Sequence, residues 1–118
     1  MNLTLTQLLD IDRAFAKMSE EKGAEAAFAH YLVPEALSLA QGQLPVTGAI
    51  NISQSMKPGD PEEKLAWKPV GGRVAKSEDL GYTWGIYEVR IGEKKMFEGK
   101  YLNIWTKHPN TIATNPCF

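Results

Sequence analysis

Polar side chains that could do chemistry are few in this chain, and aromatic residues surround them. His30 and Tyr31 are adjacent, so an imidazole and a phenol could share a proton transfer near the end of a helix. A partly buried histidine that only packs is the competing interpretation. Asn103 stands two residues from an aromatic residue on either side, where a buried amide could orient a ligand's carbonyl or hydroxyl group. The candidate catalytic residues are therefore His30, Tyr31 and Asn103.

Aromatic residues are the second set of candidates, because together they could wall an apolar pocket. Each ring offers a flat apolar surface, and tyrosine and tryptophan add a polar tip that can hydrogen-bond a ligand. Packing in the core or at a subunit interface is the equally weighted alternative for each of them. The predicted ligand-contacting residues are Phe15, Tyr31, Trp67, Tyr82, Trp84, Tyr87, Tyr101, Asn103 and Trp105.

The remaining reactive residue types do not form a recognisable centre. Asp10 and Asp12 are two residues apart on a predicted helix, so they point to different sides, and we expect a solvated face or a salt bridge. The alternative is that Asp12 or Arg13 reaches the pocket edge or the sheet. His30 and His108 are far apart and have no neighbouring cysteine, so no metal site and no cofactor are predicted. Cys117 is the single cysteine, which excludes an intrachain disulfide and leaves an incidental thiol.

Length and composition limit the class of protein. The 118 residues, 43% apolar and 23% charged, predict one globular domain over residues 1–118. A net charge of −1 without a basic cluster argues against nucleic-acid binding. No apolar stretch is long enough to span a membrane, and no signal peptide is visible. The cytoplasm is the default compartment, and a leader removed from a precursor stays open.

Helical periodicity dominates the first half of the chain. Thr4 and Gln7 form a predicted capping box for a first helix, and Gly23 is its predicted stop. A second helix is expected over Ala24–Tyr31, ended by Pro34. The apolar face of the first helix repeats at spacings of three and four residues: Leu8, Ile11, Phe15 and Met18.

The pattern then changes to that of strands. A short strand over Ala36–Ala40 and a third helix from Gly48 to Met56, with Ile50 as its apolar contact, precede an exposed loop at Lys57–Glu63. Helices followed by an antiparallel meander predict an α+β fold, with the N-terminal helices packed on a curved sheet. The expected strands of the sheet are Leu65–Ala75, Leu80–Ile91, Lys95–Lys107 and a short Thr111–Thr114.

Both faces of this sheet carry apolar side chains. The helices can cover one face, and a second copy of the chain is the simplest cover for the other, so we expect a homodimer through the sheet. We take the face with Tyr101, Asn103 and Trp105 as the inner wall of a pocket. Gly81 and Gly85 lie inside a strand, which indicates a bulge or a close approach by another group.

Several separated motifs carry a resemblance to a known family. The resemblance runs from about Leu8 to Trp105, and the motifs are DRAF at 12–15, WKP at 67–69, DLGYTWGIYE at 79–88, GKY at 99–101 and IW at 104–105. The chain resembles the SnoaL-like, ketosteroid-isomerase-like branch of the nuclear transport factor 2-like superfamily, in particular a group labelled as a domain of unknown function. The resemblance implies a cystatin-like cone, a dimer through the sheet and a deep apolar pocket.

Relatives in that superfamily include isomerases, polyketide cyclases, dehydratases and non-catalytic binding domains, so the fold does not identify the function. A ketosteroid-type isomerase needs a carboxylate base after the first short strand, and Ala40–Gln43 contains none. The final strand also departs from the family pattern. The first hypothesis is therefore a domain that binds a small apolar ligand. The alternatives are an isomerase, cyclase or dehydratase acting on a steroid- or polyketide-like substrate, and a dimerisation or accessory domain with a vestigial pocket.

Overall fold

Helices precede the large sheet along the chain, as the periodicity predicts. The computed structural model describes residues 4–40, 42–108 and 111–117, with side chains as far as residue 107. Its elements are α1 (Leu5–Lys22), α2 (Ala24–Tyr31), β1 (Leu37–Ser38), β2 (Val46–Thr47), α3 (Ala49–Ser55), β3 (Glu63–Val74), β4 (Leu80–Ile91), β5 (Lys94–His108) and β6 (Thr111–Cys117). None of the helices in these described ranges has the length and apolarity needed to cross a membrane.

Helix α1 begins and ends where the sequence predicts. The Gln7 amide donates to the Thr4 hydroxyl oxygen (3.2 Å), and the Thr4 amide donates to the Gln7 side-chain oxygen (2.9 Å), so the capping box is confirmed. Gly23, with a φ of 94°, ends α1 and begins α2. The buried stripe of α1 packs on β3 and contains Leu8, Asp12, Phe15, Ala16 and Ser19.

The main sheet is an antiparallel meander in the order β3-β4-β5-β6, which confirms the α+β class. A register shift between Pro69 and Gly71 marks a bulge in β3, which bends that edge strand. The last strand, β6, reaches Cys117, beyond the expected end at Thr114, because it pairs with β5 along Leu102–His108. The prediction of a shorter final strand was wrong, because pairing with a long neighbouring strand extends a segment whose own strand propensity is weak.

Between α2 and the sheet lie a small hairpin, β1-β2, and the short helix α3. Only Leu37–Ser38 of the expected strand Ala36–Ala40 is extended. The third helix is present, but its predicted apolar contact is wrong: Ile50 is 73% exposed, whereas Ile52 is fully buried. Residues two positions apart on a helix, such as Ile50 and Ile52, point in directions about 200° apart. Helix α3 packs on α2 through the side that carries Ile52.

Two glycines of β4 sit where other groups approach the backbone. A Cβ on Gly81 would lie 2.5 Å from Leu8 Cδ1 on α1. A Cβ on Gly85 would meet the Lys68 carbonyl oxygen and would lie 2.8 Å from Tyr101 Cε2. The prediction of close approach is confirmed, and the absence of a side chain lets α1 and the Tyr101 ring settle against the sheet.

Candidate functional site

A buried carboxylate lies between α1 and the sheet. Asp12 has no solvent exposure; Trp67 Nε1 donates to its Oδ1 (2.8 Å) and the Tyr101 hydroxyl donates to its Oδ2 (2.9 Å). The expectation of a solvated Asp12 was wrong. Residues 8, 12, 15 and 19 repeat at spacings of four, three and four, so Asp12 belongs to the apolar stripe that α1 presents to the sheet.

A third donor completes the surroundings of this carboxylate. The Thr83 side chain also hydrogen-bonds Asp12, and the Thr83 hydroxyl oxygen accepts from Trp105 Nε1 (2.9 Å). Since an indole N–H can only donate, the hydroxyl proton of Thr83 is available for the carboxylate. Asp12 therefore connects α1 to three adjacent strands of the sheet, through Trp67, Thr83 and Tyr101.

Electrostatics at this cluster are dominated by burial. Burial raises the pKa of the Asp12 carboxyl, although hydrogen bonds from Thr83, Trp67 and Tyr101 act in the opposite direction. Burial, followed by the neighbouring Asp12 charge, raises the pKa of the Tyr101 phenol well above its usual range. The carboxylate is enclosed and surrounded by donors from the protein itself, so in this arrangement it serves as an anchor between layers.

The space between α1, α2 and the sheet is filled by aromatic rings. The Phe15 ring centroid lies 4.8 Å from that of Phe28, 4.9 Å from Tyr31 and 4.7 Å from Trp67. Trp105 is fully buried, with its ring centroid 6.4 Å from that of Phe15. These rings contact each other in edge-on and stacked geometries at the density of a protein core.

Asn103 is the least satisfied polar residue of the inner face. Its side chain is 1% exposed, and neither amide atom has a hydrogen-bond partner within the described residues. It pairs across the strands with Thr83, so it lies beside the Asp12 cluster. A buried amide without partners costs about 1–3 kcal/mol, which makes Asn103 either a binding group or a source of instability.

The other predicted site residues are dispersed. His30 is exposed, and its ring contacts that of Tyr31 edge-on at a centroid distance of 4.9 Å. The Tyr31 ring stacks on Phe15, and burial raises the pKa of the Tyr31 phenol. Tyr82 and Trp84 lie on the outer face of the sheet, 36% and 41% exposed, opposite the inner wall. Their ligand contacts, and a catalytic role for His30 or Tyr31, stay predictions.

A cleft of about 890 Å³ opens at the other end of the helix–sheet interface, beside the last turn of α1. Its floor includes three buried serines from three elements, namely Ser19, Ser38 and Ser53. Tyr87 forms an aromatic part of the wall of this cleft. Of the ligand-contacting residues that the sequence predicts, Tyr87 alone is among the described residues that line it. The rim is charged with both signs: Glu20, Glu21, Lys22, Glu25, Lys57, Glu63 and Lys64.

Tyr87 is held in place by its neighbours on β5. A Cβ on Gly99 would lie 2.6–2.8 Å from atoms of the Tyr87 ring, so the ring rests on the glycine backbone. The Phe97 ring lies 6.0 Å away at a tilt of 32°. The Tyr87 ring gives the cleft an aromatic wall, beside Leu65 and Val89.

Sequence reasoning gave the contact of Asp12 with the sheet only as an alternative and missed the serines, for different reasons. The position of Asp12, four residues after Leu8 and three before Phe15, was a usable signal. The serines had none, since Ser19, Ser38 and Ser53 are brought together only by the packing of α1, β1 and α3. Within the described residues, no group of three or more His, Cys, Asp or Glu side chains is placed to hold a metal ion. The side chains of His108 and Cys117 lie outside the described residues.

Comparison with known proteins shows the fold and no activity. The sequence matches no protein-family model and no curated protein. Among solved structures, it is similar to a domain of unknown function with a cystatin-like fold from Nostoc punctiforme PCC 73102, with a TM-score of 0.77 and 16% identity over 97% of this chain and 77% of that one.

Two further structures broaden the comparison. An NTF-2 like protein of unknown function from Shewanella oneidensis MR-1 gives a TM-score of 0.72 at 9% identity, covering 94% of this chain and 96% of that one. An LEH-like epoxide hydrolase from M. tuberculosis gives 0.69 at 10% identity, covering 100% and 82%. The chain therefore has the NTF2-like, cystatin-like fold, as the sequence motifs predict. Proteins of this fold include both an enzyme and domains of unknown function.

Proposed function

We propose that this chain is a small-molecule-binding domain whose ligand occupies the cleft beside the end of α1. The observation that carries the proposal is the presence of buried serine hydroxyls and the Tyr87 ring in one cleft of about 890 Å³. Ligand sites typically combine apolar surface with a few convergent polar groups in a volume of this order. The site lies next to the predicted aromatic pocket and not within it.

The interior itself is a poor site for a ligand. Phe15, Phe28, Trp67 and Trp105 are buried against each other, so an apolar guest there would have to displace packed rings. The cleft needs no such displacement. Tyr87 and its aliphatic neighbours supply apolar contact there, and the serines supply hydrogen bonds.

Filling the cleft tests this proposal directly. Ser55 is exposed at the cleft, so we expect Ser55→Trp to abolish binding of any compound that stabilises the wild-type protein in a thermal-shift screen. The screen uses steroids, aromatic acids and polyketide-like compounds. Ser77→Trp is the matched control, because Ser77 is an exposed serine in the turn between β3 and β4. Equal binding by both variants, or no hit with the wild-type protein, would contradict the proposal.

A homodimer through the outer sheet face is proposed in addition. Val70, Tyr82, Trp84, Ile86 and Ile104 are between 36% and 58% exposed there, and they form one patch because Tyr82 pairs with Ile104 across the strands. The Trp84 indole lies next to Gly71, with its Nε1 3.2 Å from a Cβ built there, and is 41% exposed. A second copy of the same face is the occupant that closes such a patch symmetrically.

Sedimentation analysis tests the dimer. We expect a dimer at micromolar concentration for the wild-type chain and a monomer for Trp84→Lys, since a buried lysine without a partner opposes association. Leu44→Lys is the matched control, because Leu44 is 86% exposed in the β1–β2 loop, away from this face. A dimeric chain that binds no compound in the cleft would favour the dimerisation or accessory role. A monomeric wild type would contradict the dimer.

A further inference from the structure

Three of the four serine hydroxyls that line the cleft share one bonding pattern. Each of the three has a backbone carbonyl oxygen as its partner, and a carbonyl can only accept, so each of these hydroxyls must donate its proton to the protein. Two of the contacts run three residues back along α3, and the third joins α1 to β3. The contacts are Ser53 to Ile50 (2.9 Å), Ser55 to Ile52 (2.6 Å) and Ser19 to Leu65 (3.0 Å).

A hydroxyl whose proton is used in this way keeps only lone pairs for a further partner. Ser19, Ser53 and Ser55 therefore present hydrogen-bond acceptors to the cleft. The carboxylates of Glu25 and Glu63 add acceptors at its rim, and no ion pair neutralises either of them within the described residues.

The ammonium donors of the cleft lie at its rim, and the hydroxyls of Ser38 and Tyr87 can also donate. The Lys64 ammonium donates to the carbonyl oxygen of Glu20 (3.4 Å), so one of its protons is used in a hydrogen bond to the last turn of α1. Lys22 and Lys57 are exposed to solvent, where water satisfies them. The cleft is thus acceptor-rich at its floor and mixed in charge at its edge.

We infer that the cleft selects ligands with hydrogen-bond donors, either hydroxyl or ammonium groups, next to an apolar face that lies on Tyr87. This inference rests on the proposed function and specifies the ligand class for the same cleft. A ligand that offers only acceptors would set lone pairs against lone pairs at the buried Ser53 and at the exposed Ser55. At Ser53, leaving a buried polar group unpaired in this way lowers affinity by about tenfold or more.

Three probes with the same octyl chain and different head groups test the inference. Octyl glucoside carries neutral hydroxyl donors, octylamine carries an ammonium donor, and octanoate carries acceptors only. In calorimetric titrations below the micelle concentration, we expect at least one of the first two to bind about tenfold more tightly than octanoate. Preference for the glucoside identifies hydroxyl donors, and preference for the amine identifies an ammonium.

The variants show whether the serines cause the preference. The double variant Ser53→Ala, Ser55→Ala should reduce the ratio of glucoside or amine affinity to octanoate affinity to about threefold or less, and Ser77→Ala should leave it unchanged. Wild-type spectra of the variants would show that they fold. Octanoate binding as tightly as the other probes, or an unchanged ratio in the double variant, overturns the inference and leaves the binding proposal standing. If no probe binds in the cleft, both fail.

Discussion

The two ends of the helix–sheet interface use polar groups in opposite ways. At the closed end, Asp12, in the middle of α1, lies under aromatic packing and receives hydrogen bonds from Trp67, Thr83 and Tyr101. At the open end, Ser19, in the last turn of α1, lies on the floor of the cleft and keeps free lone pairs. A polar group that the protein fully satisfies connects structural layers, whereas one with spare bonding capacity and space beside it can recognise a ligand.

The largest expected effect is at the closed end. Asp12→Ala should lower the free energy of unfolding by about 3–5 kcal/mol, because it removes the buried acceptor of the Trp67 indole N–H and of the Tyr101 hydroxyl. Urea denaturation followed by tryptophan fluorescence measures the change. Asp10→Ala, at an exposed position of the same helix, is the control and should change stability by less than about 0.5 kcal/mol. Similar losses in both variants would refute the anchor role of Asp12.

The next largest loss of stability is expected for a substitution in the middle of the sheet. Gly85→Ala places a methyl group against the Lys68 carbonyl oxygen and the Tyr101 ring, so we expect a loss of about 1–3 kcal/mol. Gly59→Ala is the matched control, since nothing lies within 4 Å of the added carbon. Denaturant midpoints compare the two variants. A tolerated Gly85→Ala would mean that β4 does not hold the Tyr101 ring as closely as the geometry indicates.

The closed end should also give a pH signature. Because burial raises the pKa of Asp12 above its ordinary 3.8, the folded state holds more of this proton than the unfolded chain at pH values between 3.8 and the folded-state pKa. Stability from this group is fully present below pH 3.8 and is lost as pH rises through the folded-state pKa, with a slope of up to about 1.4 kcal/mol per pH unit. Asp12→Asn removes the group, so the difference between the two stability profiles isolates it. Parallel profiles would show that folding does not raise the pKa of Asp12.

The smallest effect is expected at Asn103. Asn103→Leu replaces two unpartnered amide atoms by an apolar group of similar size, so stability should stay within about 1 kcal/mol of the wild type or rise. Thermal unfolding at several protein concentrations measures it, with Asn51→Leu at an exposed position of α3 as control. A loss above about 2 kcal/mol would show that the amide has a partner in solution, and would bring Asn103 back as a binding group.

Local signals explain most of the successful predictions. The capping box at Thr4 and Gln7 and the stop at Gly23 depend on neighbouring residues only, and they were placed correctly. Ile50 failed because a seven-residue helix contains too few apolar positions to define a face. Asp12 failed for another reason: carboxylates are usually solvated, and its donors lie 55 and 89 residues away in the chain.

Periodicity alone established the helices, the strands and the α+β order, since these depend on side chains two to four residues apart. It also separated the side chains of each strand into two faces. Which face turned inward was decided when α1 packed on β3, and that choice buried Asn103 and exposed Trp84. The closed aromatic interior and the open cleft are likewise tertiary features. They depend on which rings and hydroxyls from distant segments meet, and no local spacing encodes those distances.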